Sequence, residues 1–325
     1  ANVNTEGYSR QRAELDTRNP TMIGGTFIGS GVELTTIQRS YDQFATLSVR
    51  ESNSSYYRLE RFSQLSAQID DILADPQGGI SPILQDFFSA VQDVADDPSS
   101  GSARFQLLST AEAMVNRFSA LDTRLEQLTA NTETDIRTAV DEINQLAESI
   151  ADINRILQET NASGVLTQQS SDLLDQRDAL LNDLSKLVSI QVINEPQNDI
   201  TVLIGNVQTM VSGNESFSLG VRPDSADPRR NIIVYQGFST VNDMSDQLTG
   251  GELGGLLEYR DSVLQPAINS LGRVAIGLAD SFNDQHSAGM DLESVLGGDF
   301  FSFNQPSTIA NSANAGTSVI STTIS

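Results

Sequence analysis

The chain has 325 residues, of which 38% are hydrophobic and 6% aromatic, and it contains neither cysteine nor tryptophan. Its 43 acidic and 19 basic residues give a net charge of −24, which argues against nucleic acid and anionic membranes as partners because both would be repelled. The lack of cysteine excludes disulfides, thiolate metal sites and thiol catalysis. The sequence contains no run of eighteen apolar residues, so it predicts no membrane-spanning helix.

The N-terminal part of the sequence combines turn signals with a first helical pattern. Residues 1–33 carry turn signals such as Asn19-Pro20 and are predicted to be extended or turn-rich. From about Leu34 to Leu73, apolar residues recur in steps of three and four, which predicts a helix with one buried face. A shorter helix is predicted over about 80–95, ended by Asp97-Pro98.

The longest helical pattern runs from Ser102 to Thr160. Its apolar residues step by three and four up to Leu128 and again from Ile136, with one extra step of four around Thr132. Such a stutter locally unwinds a supercoil. A helix of this length extends for about 80 Å at about 1.5 Å per residue, so the pattern predicts a rod that few compact enzymes contain.

After a further predicted helix over about 172–188, the composition changes to short β-branched runs. These runs are separated by turns rich in Gly, Asn and Pro, which predicts a small antiparallel β unit over 189–250. A helical pattern returns from about Glu252 to His286, and Thr249 and Glu252 have capping-box spacing at its start.

The predicted fold class is therefore α+β and predominantly α. An elongated long-helix bundle domain is expected over 1–188, with part of 252–286 added to it, beside a smaller antiparallel β-containing domain at 189–250. Residues 251–301 are expected to form a helical return segment. Residues 302–325 are rich in Ser, Thr and Asn and are expected to begin a further β segment or form a loose tail.

Motifs for catalysis or metal binding are missing from the sequence. His286 is the only histidine, and neither an H-E-x-x-H nor a G-x-S-x-G motif accompanies it. Gly250–Gly255 opens a helix but lacks the Gly-Lys-Ser/Thr of a phosphate loop. Asp291, Glu293 and Asp299 lack EF-hand spacing. We therefore predict no enzyme, no cofactor, and no catalytic or metal-binding residue.

One short stretch of sequence occurs twice in similar form. Residues 173–178 read LLDQRD and residues 256–261 read LLEYRD, and both stretches lie near the start of a predicted helix. Chance similarity between amphipathic helices explains such an echo. A shared pairing role for Arg177 and Arg260 is the alternative, which nothing else in the sequence supports.

Several segments, in order along the chain, resemble the flagellar hook-associated protein 1 family. The opening ANVNTEGYSRQ is similar to the motif that follows the first helix of flagellar rod, hook and hook-associated axial proteins, with Glu6 where that motif often has Pro or Ala. Rod and hook proteins are mostly β beyond this point, whereas this chain continues into long helices. The segments similar to hook-associated protein 1 are SYDQF (40–44), LQDFF (84–88), LLDQRD (173–178), GELGGLLEYRD (251–261), FNDQHSAG (282–289) and DFF (299–301).

This resemblance implies a structural protein of the bacterial flagellum that forms the junction between hook and filament. It also implies export by the flagellar type III system with an export chaperone, and an extracellular location. The implied partners are the hook protein, the second junction protein (hook-associated protein 3) and further copies of the full-length protein in a ring. The family's terminal helices are absent here, so the chain is expected to be a fragment of a longer protein.

The resemblance further implies a set of residues for assembly: Asn2, Asn4, Gly7, Tyr8, Arg10, Gln11, Arg177 and Arg260. Two alternatives stay open at this point, namely another flagellar axial protein and an extracellular adhesin that uses the β domain. An enzyme carried on a flagellar scaffold is a third alternative, which the lone His286 disfavours.

Overall fold

The computed structural model of the chain describes residues 11–19, 21–23, 26–28, 31–39, 42–75, 78–162, 168–205, 208–237, 241–291, 293–304, 310–312 and 314. The α-helices are α1 (Gln43–Leu73), α2 (Ile80–Asp96), α3 (Gly101–Ala162), α4 (Gln168–Leu187), α5 (Gly251–Tyr259) and α6 (Gln265–Ser287). The strands are β1 (Gln11–Thr17), β2 (Thr21–Ile23), β3 (Thr26–Ile28), β4 (Val32–Arg39), β5 (Ile190–Asn194), β6 (Ile200–Ile204), β7 (Gln208–Ser212), β8 (Glu215–Ser216), β9 (Ser218–Pro223), β10 (Asn231–Gln236) and β11 (Val241–Asp243).

Two compact units share the chain, and each is assembled from several separate stretches of sequence. Unit 1 comprises Ala1–Arg61, Ile136–Val221 and Ile233–Leu257. Unit 2 comprises Phe62–Asp135, Arg222–Ile232 and Glu258–Ser325. The long helix α3 therefore contributes its first part to unit 2 and its second part to unit 1.

The predicted long helix and its stutter are both confirmed. Helix α3 is unbroken over 62 residues, close to the predicted 102–160. Buried positions step by four and four at Leu128, Thr132 and Ile136, as the stutter requires. The hydroxyl of Thr132 donates to the carbonyl of Leu128 at 2.8 Å, so this polar side chain is buried with its hydrogen bond made inside the helix. Next to it, Glu133 is buried too.

The β region of unit 1 contains antiparallel pairs, as predicted. Strands β5, β6, β7 and β8 form one sheet in sequence order, with a bulge in β7, where Met210 is the extra residue opposite Val202 and Leu203 of β6. Alternate residues of β6 are buried, which is the period expected for a strand with one face against a core. A second sheet has the order β11-β10-β9. The hydroxyl of Tyr235 in β10 donates to the carbonyl of Thr209 in β7 at 2.6 Å and so connects the two sheets.

The start of the first helix was predicted wrongly. Residues 34–39 belong to strand β4, and α1 begins only at Gln43. Strand β4 pairs with β1 in antiparallel register, and β2 pairs with β3, so residues 11–39 contain two nested hairpins. The apolar steps at the start of the predicted helix could not reveal this, because strand pairing depends on a partner about twenty residues away rather than on local periodicity.

Two consecutive glycines determine where α5 begins. Gly250 and Gly251 have φ angles of 73° and 61°, which other residues rarely adopt. A Cβ at Gly251 would lie 2.2 Å from the carbonyl carbon of Leu187, so the backbones touch here. The predicted helix entry is confirmed, but the predicted capping box is wrong. Because the helix begins at Gly251, Glu252 lies in its first turn and pairs with Arg61 instead, at 3.4 Å.

The predicted helix over 252–286 is present but contains a π-helical turn at Arg260–Leu264 between α5 and α6. The amide of Gln265 donates to the carbonyl of Arg260, five residues back. Pro266 follows at once and has no amide hydrogen, so the normal bond to residue 262 cannot form and its ring crowds that carbonyl. A wider turn accommodates both effects, and π-turns of this kind are frequent at functional sites.

The core of unit 2 centres on Phe87 in α2 and on Ala111 and Met114 in α3. Phe282 of α6 packs against Phe87 with ring centroids 5.3 Å apart. Further partly buried hydrophobic residues complete this core: Ile83, Leu84, Val91, Leu107, Phe118, Leu278, Phe300 and Phe301.

Candidate assembly site

Arg260 lies at the centre of a buried polar cluster in unit 2. Its side chain is 5% exposed, and that of Glu133 is 10% exposed. The Nη1 atom of Arg260 donates to Oε1 of Glu133 at 3.3 Å and to the carbonyl of Asn231 at 2.8 Å. Glu133 in turn accepts two hydrogen bonds at Oε2, from the amide (3.1 Å) and the side chain (2.7 Å) of Asn231. We call these three residues the Arg260 cluster.

Two local features of the sequence bring the Arg260 cluster together. The stutter in α3 inserts an extra four-residue step between buried positions of the helix, and Glu133 therefore lies on the buried side beside Thr132. The π-helical turn begins at Arg260, whose Nε also donates to Asp261 at 3.0 Å. Because every charged atom in the cluster has a partner of opposite charge or a hydrogen bond, it avoids the penalty of a buried unpaired charge.

A cavity of about 800 Å³ opens beside this cluster, entirely within unit 2. Its walls are one face of α3 between residues 122 and 133, the loop at 224–230, and residues 260–268. Its lining includes the apolar side chains of Ile268 and the buried Leu264 as well as acidic and basic side chains. Arg230 connects two walls, since it lies 3.7 Å from Asp224 and 3.1 Å from Asp261.

Arg177 occupies a comparable position in unit 1. It is buried, and its Nη1 atom donates to Oδ1 of Asn154 at 2.8 Å and to the carbonyl of Asn198 at 2.7 Å. Asn154 also donates to the carbonyl of Gly213 at 2.8 Å, so the long helix is tied to two loops of the β region. The next residue along the chain, Asp178, pairs with the buried Arg50 of α1 at 2.9 Å.

The sequence echo thus corresponds to a repeated geometry. Arg177 and Arg260 each contact one polar side chain of α3 and one main-chain carbonyl of an asparagine. Their partners on α3, Asn154 and Glu133, are 21 residues apart, which is three heptads. The sequence pattern did not single out either α3 partner, although each directly follows a buried position of the helix, Thr132 and Ile153.

The other residues predicted for assembly lie outside the described structure or at its edge. Asn2, Asn4, Gly7, Tyr8 and Arg10 precede the described residues. Gln11 begins strand β1, where it pairs with Arg39. The structure therefore places only Arg177 and Arg260 of that set in a defined side-chain environment, and their role in assembly stays a prediction.

His286 takes part in closing the loop that follows α6. Its Nδ1 atom lies 2.6 Å from the carbonyl of Gly298, and its ring stacks on Phe282 at 6.3 Å. Below this loop, Oδ1 of Asn283 accepts from the amides of Phe300 and Phe301, both at 2.8 Å. Across the described ranges, no group of three or more His, Asp or Glu side chains is arranged to hold a metal ion. None of the helices in those ranges has the length and apolarity that a membrane crossing requires.

Comparison with known proteins assigns the family. Residues 66–301 match the family of the flagellar hook-associated protein FlgK helical domain. This range includes the cavity and the two arginine centres, which are Arg177 with Asn154 and Asn198, and the Arg260 cluster. The chain belongs to this family. The family consists of structural flagellar proteins, and the suspected resemblance to hook-associated protein 1 is thereby confirmed.

Individual relatives of the FlgK family support the same assignment. The chain is 35% identical over 317 residues to flagellar hook-associated protein 1 of Salmonella typhimurium, covering 97% of this chain and 57% of the relative. It is 31% identical over 327 residues to the protein of the same name from Escherichia coli, covering 100% of this chain and 59% of the relative. The chain therefore spans less than two thirds of the length of these curated relatives.

A solved structure agrees with the fold. The flagellar hook junction protein FlgK from Burkholderia pseudomallei superposes with a TM-score of 0.75 at 29% identity, over 84% of this chain and 49% of that one. The predicted fold class, predominantly α with a long-helix bundle and a small antiparallel β region, is confirmed.

Proposed function

We propose that the chain is a structural part of the junction between the flagellar hook and filament. The observation that carries this proposal is the match of residues 66–301 to the FlgK helical domain, together with the likeness to a solved hook junction protein. The chain spans 57% of the length of the Salmonella typhimurium relative, so a role of that whole protein extends to this chain as a proposal.

The internal construction of the chain suits a mechanical role. Each arginine centre ties the long helix to a loop or strand that is distant in sequence, through Asn154 in unit 1 and Glu133 in unit 2. Buried hydrogen-bonded groups resist sliding more strongly than apolar contacts, because a shift leaves charges and carbonyls without partners. A subunit that transmits torque benefits from side chains that fix the register of its helices in this way.

Location and partners follow as finer parts of the proposal. The protein is exported by the flagellar type III system with a chaperone and assembles outside the cell. There it forms a ring between the hook protein and the second junction protein, hook-associated protein 3. Residues Asn2, Asn4, Gly7, Tyr8, Arg10 and Gln11 belong to the surface used in that assembly, with Arg177 and Arg260 holding the subunit's own shape.

The predicted domain boundaries at 188/189, 250/251 and 301/302 also stay a proposal. Limited proteolysis followed by mass spectrometry tests the 301/302 boundary, where Ser302 is exposed, since exposed chain is cut first. The absence of early cuts near residue 302 would reject that boundary.

Deletion of the gene tests the junction role directly. The expected result is cells with bare hooks under the electron microscope and flagellin in the culture medium, both restored by the wild-type gene on a plasmid. Normal filaments in the deletion strain would reject the junction role and direct attention to adhesion. Complementation with an Arg10→Glu variant then tests the proposed assembly surface, where unchanged motility would remove Arg10 from it.

A further inference from the structure

A stretch of weak helix-forming residues lies near the middle of α3. Residues 129–135 read TANTETD, and five of these seven are Thr, Asn or Asp. Such side chains favour a helix less than Ala, Leu, Gln and Glu do, because they lose rotamer freedom in it or compete for its backbone hydrogen bonds. The stretch is nevertheless helical, so packing against other parts of unit 2 keeps it folded. We call residues 129–135 the weak segment.

Three threonine hydroxyls also compete for the backbone of the weak segment. Thr129 donates to the carbonyl of Leu125 at 3.0 Å, and Thr134 donates to that of Ala130 at 2.8 Å. The bond of Thr132 described above is of the same kind. Each of these carbonyls is also the acceptor of an ordinary helix hydrogen bond, and sharing it slightly weakens and bends the helix. The other bonds of this kind described in α3 lie further apart along the helix, at Thr110, Thr123, Ser149 and Thr160.

The stutter of α3 falls on the same residues. Around Thr132 the buried positions advance by four residues twice in succession, which locally unwinds the helix relative to a regular supercoil. Helix propensity, hydroxyl bonds and the spacing of buried residues are three different properties, and all three lower the resistance of the weak segment to opening. Their coincidence distinguishes this segment from the rest of α3.

The Arg260 cluster holds the weak segment from outside the helix. Glu133, in the middle of the segment, accepts from Arg260 at 3.3 Å and from the amide and side chain of Asn231 at 3.1 and 2.7 Å. Arg260 and Asn231 are 127 and 98 residues away along the chain, so these bonds add nothing to the hydrogen bonds of the helix itself. They oppose the displacement of Glu133 that local opening of the segment requires.

We propose that the weak segment is a site where α3 opens locally, and that the Arg260 cluster controls this opening. With the cluster intact, the helix is continuous through the segment. Once the cluster separates, the segment loses its helical hydrogen bonds before residues 105–120 do, because local stability is lowest where propensity and packing are weakest. The inference rests on the proposed function in one respect: a subunit that carries load at the hook–filament junction can then deform at a defined place while the rest of its core stays folded.

Native-state hydrogen exchange, resolved to single amides, tests the weak segment in the intact chain of 325 residues. Two variants with the same three types of substitution are compared, and none of the six side chains is buried. They are Thr129→Ala/Asn131→Ala/Thr134→Ala in the segment and the control Thr110→Ala/Asn116→Ala/Thr123→Ala earlier in α3.

The substitutions in the weak segment should slow exchange of the amides at 129–138 by about tenfold, and the control should leave those amides as they are in wild type. This difference is expected because both variants strengthen the helix, but only local opening confines the gain to the place that was changed. Equal exchange at 129–138 in the two variants would show that α3 opens as one piece, and would overturn the proposal.

Arg260→Met tests the control exerted by the cluster, with Met114→Ala as a matched loss of buried contacts in the core of unit 2. Arg260→Met should accelerate exchange at 129–138 by at least about tenfold more than exchange at 105–120, because its guanidinium contacts α3 at Glu133. Met114→Ala should show no such preference. Equal acceleration of both stretches by Arg260→Met would overturn the proposal. Either failure leaves the junction role untouched, because deletion of the gene reports on that role independently.

Discussion

Replacing Arg260 by methionine gives the strongest test of the idea that the Arg260 cluster holds unit 2 together. The substitution keeps much of the side-chain volume but leaves the Glu133 carboxylate buried without its arginine, and the carbonyl of Asn231 without its donor. Removing one partner of a buried ion pair costs about 3–5 kcal/mol. The side chains of Arg260 and Glu133 are 5% and 10% exposed, so water reaches the Glu133 carboxylate only from the adjoining cavity.

Thermal unfolding followed by circular dichroism measures this cost. For a domain of about 150–250 residues, each kcal/mol lowers the melting temperature by roughly 2–4 °C, so a decrease on the order of 10 °C is expected. Hydrogen exchange should place the weakened amides in unit 2. A matched control is Arg155→Met, since Arg155 is an exposed residue that pairs with Asp152 and Glu159 on the same helix, and it should leave the melting temperature where it was.

The double variant Arg260→Met/Glu133→Gln separates pairing from simple loss of volume. A glutamine at 133 can accept from the amide of Asn231 through its oxygen and donate to the carbonyl of Asn231 through its nitrogen. The double variant should therefore be less destabilised than the sum of the two single variants, by about 1–3 kcal/mol. Additive effects, or an Arg260→Met variant within about 1 kcal/mol of wild type, would refute the reasoning.

Three further outcomes are expected. Gly251→Ala should destabilise unit 1 severely, because the backbone of Leu187 occupies the space that a Cβ would need. Gly277→Ala, in an open stretch of α6, should stabilise the protein by about 1 kcal/mol. Equal melting temperatures for the two variants would contradict this reasoning. Burial raises the pKa of Tyr259 to about 12, so the stabilisation that comes from burying its neutral phenol is present below pH 10 and is lost as pH rises from 10 to 12. In urea titrations, Tyr259→Phe should therefore lose less unfolding free energy than wild type over that pH range. An unchanged pH profile in the variant would show that Tyr259 is not the group responsible. Arg177→Met should lower the melting temperature by several degrees and expose amides near Asn154 to hydrogen exchange, and unaltered protection there would argue against the clamp.

The sequence by itself determined the features that depend on local spacing. The 3.6-residue period predicted α3 to within two residues at each end, and the extra step of four located the stutter at Thr132. The change to β-branched runs located the antiparallel region, and the glycines at 250–251 marked the start of α5. These succeed because helix periodicity, strand propensity and a left-handed backbone are properties of neighbouring residues.

Other features needed the tertiary structure because their partners are far apart in sequence. The spacing of residues 34–39 predicts the start of a helix, because the pairing of β4 with β1 is not encoded in that spacing. The π-helical turn was missed although Pro266 was its signal, because a proline in a helical pattern indicates a disturbance without specifying its kind.

The arginine centres show the same division between local and distant information. The echo in sequence singled out Arg177 and Arg260, but their partners Asn154 and Glu133 lie 23 and 127 residues away along the chain. Likewise, the cavity exists only where three separate stretches of the chain meet. Hydrogen bonds and cavities between distant segments arise from packing, which short-range pattern cannot express.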